Sequence, residues 1–273
     1  MTFALHQPAT APEAVALLGS ITDSLPLAGG MTLLPTIKQR LATPAALIDL
    51  SKIPAMSAIT IEGDTLVIGA MARHVDVAES DVVATTIPLL AKLAAGIGDP
   101  AVRNRGTIGG SVANNDPSAD YPAAVLGLGA TIVTDRREIA AADFFTGMFE
   151  TALQPGEVIT SLRFPVPAAG GYAKFKSPAS RYAVVGVCVV QSTGGVCVAV
   201  TGAGPGVFRV PEMESALAVS FTPAAVAGIK VLAENMSSDI HADAEYRAHL
   251  ITVMAKKAVV AAIGYTGRRA RGR

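Results

Sequence analysis

The sequence predicts a mixed α+β chain built in two parts. Through the first 165 residues, short β-patterned segments alternate with short helical ones. One strand pair there flanks a Glu62-Gly63-Asp64 turn, the signature of an antiparallel hairpin. A stretch bearing Pro and Gly, 165–171, then separates this region from a C-terminal part of different character, a hairpin rich in β-branched residues followed by helical patterns. That stretch, 165–171, is the expected domain boundary.

In chain order, Thr10-Ala11-Pro12-Glu13 is a capping box with proline in the first turn, and it opens a helix that Gly19 closes. Residues 25–28 read as a buried strand, Gly29-Gly30 follows, and 32–41 read as a helix before a second strand over 46–50. The hairpin pairs 59–61 with 66–68. Segments 75–80 and 87–95 carry helical spacing. Residues 96–122 are rich in Gly, Asn, Asp and Pro with little periodicity, which reads as a long structured loop of the kind that carries function. Segment 122–128 is helical, and 130–134 and 158–164 are strands. Beyond the linker, 184–191 and 196–201 form a hairpin, 212–218, 223–235 and 244–263 carry helical patterns, and the arginine-rich 267–273 reads as a solvated tail.

Lysine plus arginine and aspartate plus glutamate each number 22, so there is no bulk electrostatic case for nucleic acid or an anionic membrane. Only 16% of residues are charged, yet no apolar run approaches the roughly 20 residues of a spanning helix. The first residues show no basic region followed by an apolar stretch. The expectation is a soluble cytoplasmic protein whose apolar excess is either a rich core or surface that another subunit covers. Two cysteines, Cys188 and Cys197, flank a turn and read as reduced core thiols. With no C-x-x-C pair and four scattered histidines, neither a zinc site nor an iron–sulfur cluster is expected.

Three glycine-rich stretches invite a phosphate. Val198–Val207 resembles a dinucleotide fingerprint, but Gly202, Gly204 and Gly206 give G-x-G-x-G, and no helix or properly spaced acid follows. The junction at Ala28-Gly29-Gly30-Met31-Thr32 supports two readings, a plain strand–helix turn or a backbone cradle for an anion, with Thr32 as helix cap or hydroxyl donor. The stretch from Thr107 to Asp120 adds hydroxyls and amides at Thr107, Gly109, Gly110 and Ser111, then Asn114, Asn115, Asp116, Ser118 and Asp120. Two cradles, one rich in amides and one adding carboxylates suited to ribose hydroxyls, together favour a dinucleotide.

At these residues the sequence resembles the FAD-binding subunit of the molybdenum hydroxylases, the xanthine dehydrogenase and carbon monoxide dehydrogenase group. AGGMTLLPTIKQRLA and TIGGSVANNDPSADYPA resemble its two flavin segments, and YAKFKSPASRYAVVGV and DIHADAEYRAHL its C-terminal segments. The resemblance implies a flavin-binding domain of the vanillyl-alcohol oxidase (PCMH) type over 1–167, with lobes near 1–53 and 54–167, and a smaller α+β domain over 168–273. It implies non-covalent FAD held by Ala28, Gly29, Gly30, Met31, Thr32, Leu33 and Leu34 at the pyrophosphate and by Thr107, Gly110, Ser111 and Asn114 opposite. Asp120 would sit at the ribose, Val158 and Ile159 on the flavin half, Lys176 near the ring and Tyr182 over it.

Met31 stands where many relatives have His, which excludes a covalent histidyl link there, and Asn114-Asn115 replaces a common His-Ala pair. The implied function is electron transfer from [2Fe–2S] clusters of a small partner subunit to an external acceptor. A large subunit would hold molybdenum–pterin, and the heterotrimer would dimerise. The alternatives are a stand-alone flavin reductase or oxidase, with Ser180 or Tyr182 as its acid, and a scaffold without FAD.

Overall fold

The computed structural model describes the backbone of residues 3–271 and the side chains of residues 3–264. Its first lobe is β1 (Ala4–His6), α1 (Ala11–Ser20), β2 (Ser24–Leu27), α2 (Leu33–Lys38) and β3 (Ala46–Asp49). The strands form a parallel sheet in the order β1-β3-β2. Parallel neighbours need crossovers, and the two helices supply them. The central strand accordingly buries Ala46, Leu47 and Ile48. At the start of α1, Thr10 Oγ1 accepts from the Glu13 N–H at 3.4 Å, and the Glu13 carboxylate reaches back to the Ala9 N–H at 2.9 Å.

The second lobe runs β4 (Ile59–Glu62), β5 (Thr65–Gly69), α3 (His74–Glu79), α4 (Asp81–Thr86), α5 (Pro88–Ala95), α6 (Pro100–Arg103), α7 (Ile108–Asn114) and α8 (Tyr121–Gly127). It continues through β6 (Thr131–Thr134), β7 (Glu138–Ala140), α9 (Ala141–Phe144), β8 (Phe145–Gly147), β9 (Glu150–Thr151) and β10 (Ile159–Pro165). Its antiparallel sheet has the order β4-β5-β10-β6-β7, and Leu66, Ile68, Ile132, Phe144 and Phe164 fill the core beneath it. The expected loop over 96–122 is instead broken into α6, α7 and the start of α8. Asp99 and Thr107 cap the first two by accepting from the N–H groups of Val102 and Gly110. Short helices with glycines in the first turn leave no apolar period for sequence reasoning to detect.

The C-terminal part holds β11 (Ala169–Lys176), β12 (Ala183–Ser192), β13 (Gly195–Thr201), β14 (Phe208–Arg209), α10 (Pro211–Val219), α11 (Pro223–Val226) and α12 (Ala244–Arg271). Its four strands form an antiparallel sheet in chain order. Strand β12 is apolar on both faces because both are covered. Val185, Val187 and Val189 pack with Ile251, Met254 and Ala255 of α12, while Cys188 and Val190 join the core that contains α8. The third glycine stretch turns off this sheet. The Gly202 N–H donates to the Pro117 carbonyl at 2.8 Å, and Arg247 donates to the Gly202 carbonyl at 2.7 Å. Those bonds fasten the C-terminal sheet to α12 and to the second lobe, and none of the three glycines lines the large cavity described below.

Two further expectations change. The helical pattern over 223–235 is helical only across Pro223–Val226; Gly228 follows, and the Thr252 hydroxyl on α12 captures the Ile229 carbonyl at 2.7 Å. Of the expected tail, the backbone of 267–271 continues α12, and 272–273 lie outside the described residues. Cys188 stands opposite Ala199 and Cys197 opposite Val190, so the two thiols are offset by two residues. Both are free, and burial first of all pushes Cys197 up to about 12 and Cys188 higher.

Candidate functional site

A cavity of about 650 Å³ opens where the first lobe, the second lobe and the C-terminal part meet. That volume lies in the roughly 300–1,000 Å³ range of cofactor and small-molecule sites.

One wall is the β2–α2 junction. Ala28, Gly29, Gly30, Met31, Thr32 and Leu33 all line it. Leu34 is the first residue after the glycines whose N–H finds an acceptor, the Gly30 carbonyl at 3.1 Å. Among the described residues, the N–H groups of Gly29 through Leu33 have no main-chain partner. Successive free N–H groups in a turn form a concavity suited to an anion. Two features hold this shape. Gly30 has φ +74°, which a side chain would strain, and a Cβ on Gly29 would collide with the Arg105 carbonyl. Thr32 does not cap α2 through its side chain, so its hydroxyl remains available to a ligand. The Leu34 side chain turns away from the cavity, into a small apolar cluster with Leu27, Ile37 and Leu47.

The facing wall is the start of α7, lined by Thr107, Gly110, Ser111 and Asn114. The sequence pointed to open amides here, but the fold consumes them. Ile108 and Gly109 donate to the carbonyls of Ala72 and Ala70 at 3.0 and 2.9 Å, and Gly110 donates to Thr107 Oγ1 at 3.1 Å. What this wall offers a ligand is side-chain chemistry: the Thr107 and Ser111 hydroxyls and the Asn114 amide. Asn115, in the left-handed region at φ 43°, instead ties the β8–β9 hairpin, donating to the carbonyls of Gly147 and Glu150.

Val158 and Ile159 supply an apolar floor at the head of β10, beside Met56, Met71 and Leu153. Glu157 fixes this floor. Its buried carboxylate accepts from Arg137 Nε and Nη2 at 2.9 and 3.0 Å, from the Gln154 N–H at 2.7 Å and from the Thr134 hydroxyl at 2.8 Å. Those bonds, led by Arg137, hold its carboxyl down at about 2. The sign follows directly: the stabilisation is complete above the ordinary glutamate value of 4.5 and is lost as pH falls through about 2. Glu157→Gln is expected to cost about 2–3 kcal/mol at pH 7. In urea unfolding, the gap from the parent chain should narrow by pH 3 and close near pH 2. A gap independent of pH would contradict the ion-pair account.

At the rim, Asp120 lines the cavity while both its oxygens are engaged from β11: Tyr172 donates to Oδ1, and Lys174 to Oδ2 at 2.8 Å. Burial raises this carboxyl above its ordinary value, against the pull of Lys174 and Tyr172. Ser180, Arg181 and Tyr182 complete the rim. Burial, with Asp116 and Asp120 nearby, raises the Tyr182 phenol. Lys176 sits exposed at the end of β11 and does not line the cavity.

The structure thus gathers fourteen of the sixteen sequence-selected residues around one cavity and leaves Leu34 and Lys176 outside it. It adds residues that were not among the sixteen, chiefly Glu157, Arg181 and His74. His74 reaches the site because its N–H donates to the Gly106 carbonyl at 2.9 Å, a contact between segments 32 residues apart. Only the acid next to the Val158-Ile159 pair left a local signal.

Residues 1–167 match the family described as the FAD binding domain in molybdopterin dehydrogenase. The chain is 38% identical to the carbon monoxide dehydrogenase medium chain of Hydrogenophaga pseudoflava, covering 95% of this chain and 96% of that one. It is 36% identical to the nicotine 6-hydroxylase medium subunit of Paenarthrobacter nicotinovorans, covering 93% and 95%. Among solved structures, reconstituted CO dehydrogenase from Oligotropha carboxidovorans superposes with a TM-score of 0.88 at 35% identity, covering 96% of this chain and 98% of that one. Quinoline 2-oxidoreductase from Pseudomonas putida 86 superposes with a TM-score of 0.88 at 27% identity, covering 97% and 99%.

Proposed function

Since this chain belongs to the family of FAD-binding subunits of the molybdopterin dehydrogenases, we propose that it is the electron-transfer flavoprotein of a cytoplasmic heteromeric molybdenum hydroxylase. In this reading it takes electrons from [2Fe–2S] clusters of a small partner and passes them to an external acceptor. A large partner holds molybdenum–pterin, and the heterotrimer dimerises. The observation that carries the reading is the facing pair of walls, free main-chain N–H groups at Gly29–Leu33 against hydroxyls of α7 across a cavity of about 650 Å³.

The residues present fit FAD. The N–H groups from Gly29 to Leu33 and the Thr32 hydroxyl would hold the pyrophosphate, with Thr107, Ser111 and Asn114 opposite. Each oxygen of Asp120 keeps a lone pair beyond its bond to Tyr172 or Lys174, so it still has capacity for a ribose hydroxyl. Val158 and Ile159 would exclude water from one side of the flavin and Tyr182 from another, while Met31, 40% exposed, contributes mainly through its backbone. Bound FAD supplies the redox chemistry, and the chain supplies position and electrostatics. On this reading no side chain transfers a proton.

The test is purification of the tagged chain from its own host. An iron–sulfur protein and a molybdenum protein should accompany it in equal amounts. A flavoprotein that purifies alone would contradict the subunit reading and favour a stand-alone reductase, for which Ser180 and Tyr182 are the candidate acids at the rim.

A further inference from the structure

Lys174 ties together three segments that border the cavity. Its ammonium donates to the Gly96 carbonyl at 3.0 Å, to Asp120 Oδ2 at 2.8 Å and to the Arg181 carbonyl at 3.0 Å. These acceptors account for all three of its protons. Gly96 precedes the cavity residues Ile97 and Gly98; Asp120 is itself a cavity residue, as is Arg181, which lies between Ser180 and Tyr182. The Lys174 side chain is only 10% exposed, so the bonds are made away from bulk water. The 177–182 loop is closed on itself: the Ser177 N–H donates to the Tyr182 carbonyl and the Arg181 N–H to the Ser177 carbonyl, both at 2.9 Å. The Ala183 N–H just beyond it reaches the Ser118 carbonyl at 3.2 Å. Arg181 holds a left-handed backbone at φ 62°, and its guanidinium reaches the Gly98 carbonyl at 3.3 Å.

We propose that Lys174 is a positioning residue, the clamp by which the C-terminal sheet holds the 177–182 loop shut over the cofactor cavity. The Asp120 pair supplies the counter-charge that lets an ammonium sit there. The bond to the Arg181 carbonyl does the closing. Lys174 thereby sets how readily a bound cofactor leaves and how far Tyr182 shields it, a consequence that rests on the proposed FAD function. The clamp itself does not.

The two contributions separate in a variant set made on the full chain: Lys174→Met, Asp120→Asn and the double variant. Trypsin cleavage after Arg181, mapped by mass spectrometry on FAD-free protein, reads loop opening, because a protease needs local unfolding to engage. Lys174→Met should be cut after Arg181 at least about tenfold faster than the parent, with cleavage elsewhere unchanged. Asp120→Asn should open the loop less than Lys174→Met, since the counter-charge is lost while an amide oxygen can still accept from Lys174 and its bonds to Gly96 and Arg181 remain.

The double variant removes the buried uncompensated charge, so it stays measurable even if Lys174→Met folds poorly. It should still be cut fast. A double variant as resistant as the parent, or Asp120→Asn as open as Lys174→Met, would overturn the clamp in favour of a simple ion pair. FAD release, followed by the rise in flavin fluorescence, should speed up in Lys174→Met, the variant that leaves Asp120 in place. A parent chain that binds no FAD would contradict the proposed function, and the protease pattern would still decide the clamp.

Discussion

Gly29→Val is expected to weaken FAD binding by about 100-fold or more while most of the chain stays folded. The reason differs from simple clearance for a ligand. A Cβ at residue 29 would fall on the Arg105 carbonyl and against Gly106, so the substitution forces the β2–α2 junction away from the segment that leads into α7. The two walls then separate. Losing even two hydrogen bonds to a charged pyrophosphate, each worth about 1.5–3 kcal/mol, accounts for a hundredfold loss. Overpacking one buried contact costs a further 1–3 kcal/mol or so of stability. Met31→Ala is the contrast, because that side chain is 40% exposed; its affinity should stay within a few-fold. Titrations followed by flavin fluorescence, with circular dichroism to monitor the fold, separate the cases. Gly29→Val binding as tightly as the parent would mean that the junction is no part of the site.

The second large effect is an acid-side loss of stability that traces to His74. This side chain is 5% exposed at the cavity wall, its Nδ1 has no hydrogen-bond partner among the described residues, and its ring lies 5.5 Å from that of Tyr121. Burial, aided by the nearby Arg103 charge, lowers its pKa from 6.5 to about 4. The unfolded chain therefore takes up the proton first. Stability is complete above pH 6.5, falls as pH drops from 6.5 to about 4, and levels below that. The gap corresponds to about 3 kcal/mol. His74→Phe keeps a ring against Tyr121 and removes the titration. The difference in urea stability between parent and variant, measured on FAD-free protein, should change by about that amount between pH 7 and pH 4. A difference constant across the window would place the acid sensitivity elsewhere.

What the sequence made legible was local. The capping box at Thr10, the Glu62-Gly63-Asp64 hairpin and the β12–β13 hairpin are each specified by neighbours in the chain, so residue types announced them. The two flavin-like stretches were also readable, because glycines and small polar residues cluster in each. What stayed hidden depends on tertiary contact. Helix α7 carries no apolar period and exists because Thr107 caps it and Ala70 and Ala72 accept its first N–H groups. His74 reaches the site through Gly106. Of the two lysines two residues apart on β11, the sequence favoured Lys176, whereas the fold buries Lys174 against Asp120. Residues 174 and 176 lie on the same side of an extended strand, so strand position alone did not separate them; Asp120 and Gly96 do.

The central claim is that this chain builds an FAD site from main-chain N–H groups facing the hydroxyls of α7. Titrating the purified, FAD-free chain with FAD tests it most directly. The account predicts saturation at one FAD per chain, a shifted visible flavin spectrum and a raised Tm. A chain that is folded by circular dichroism yet takes up no FAD would contradict it.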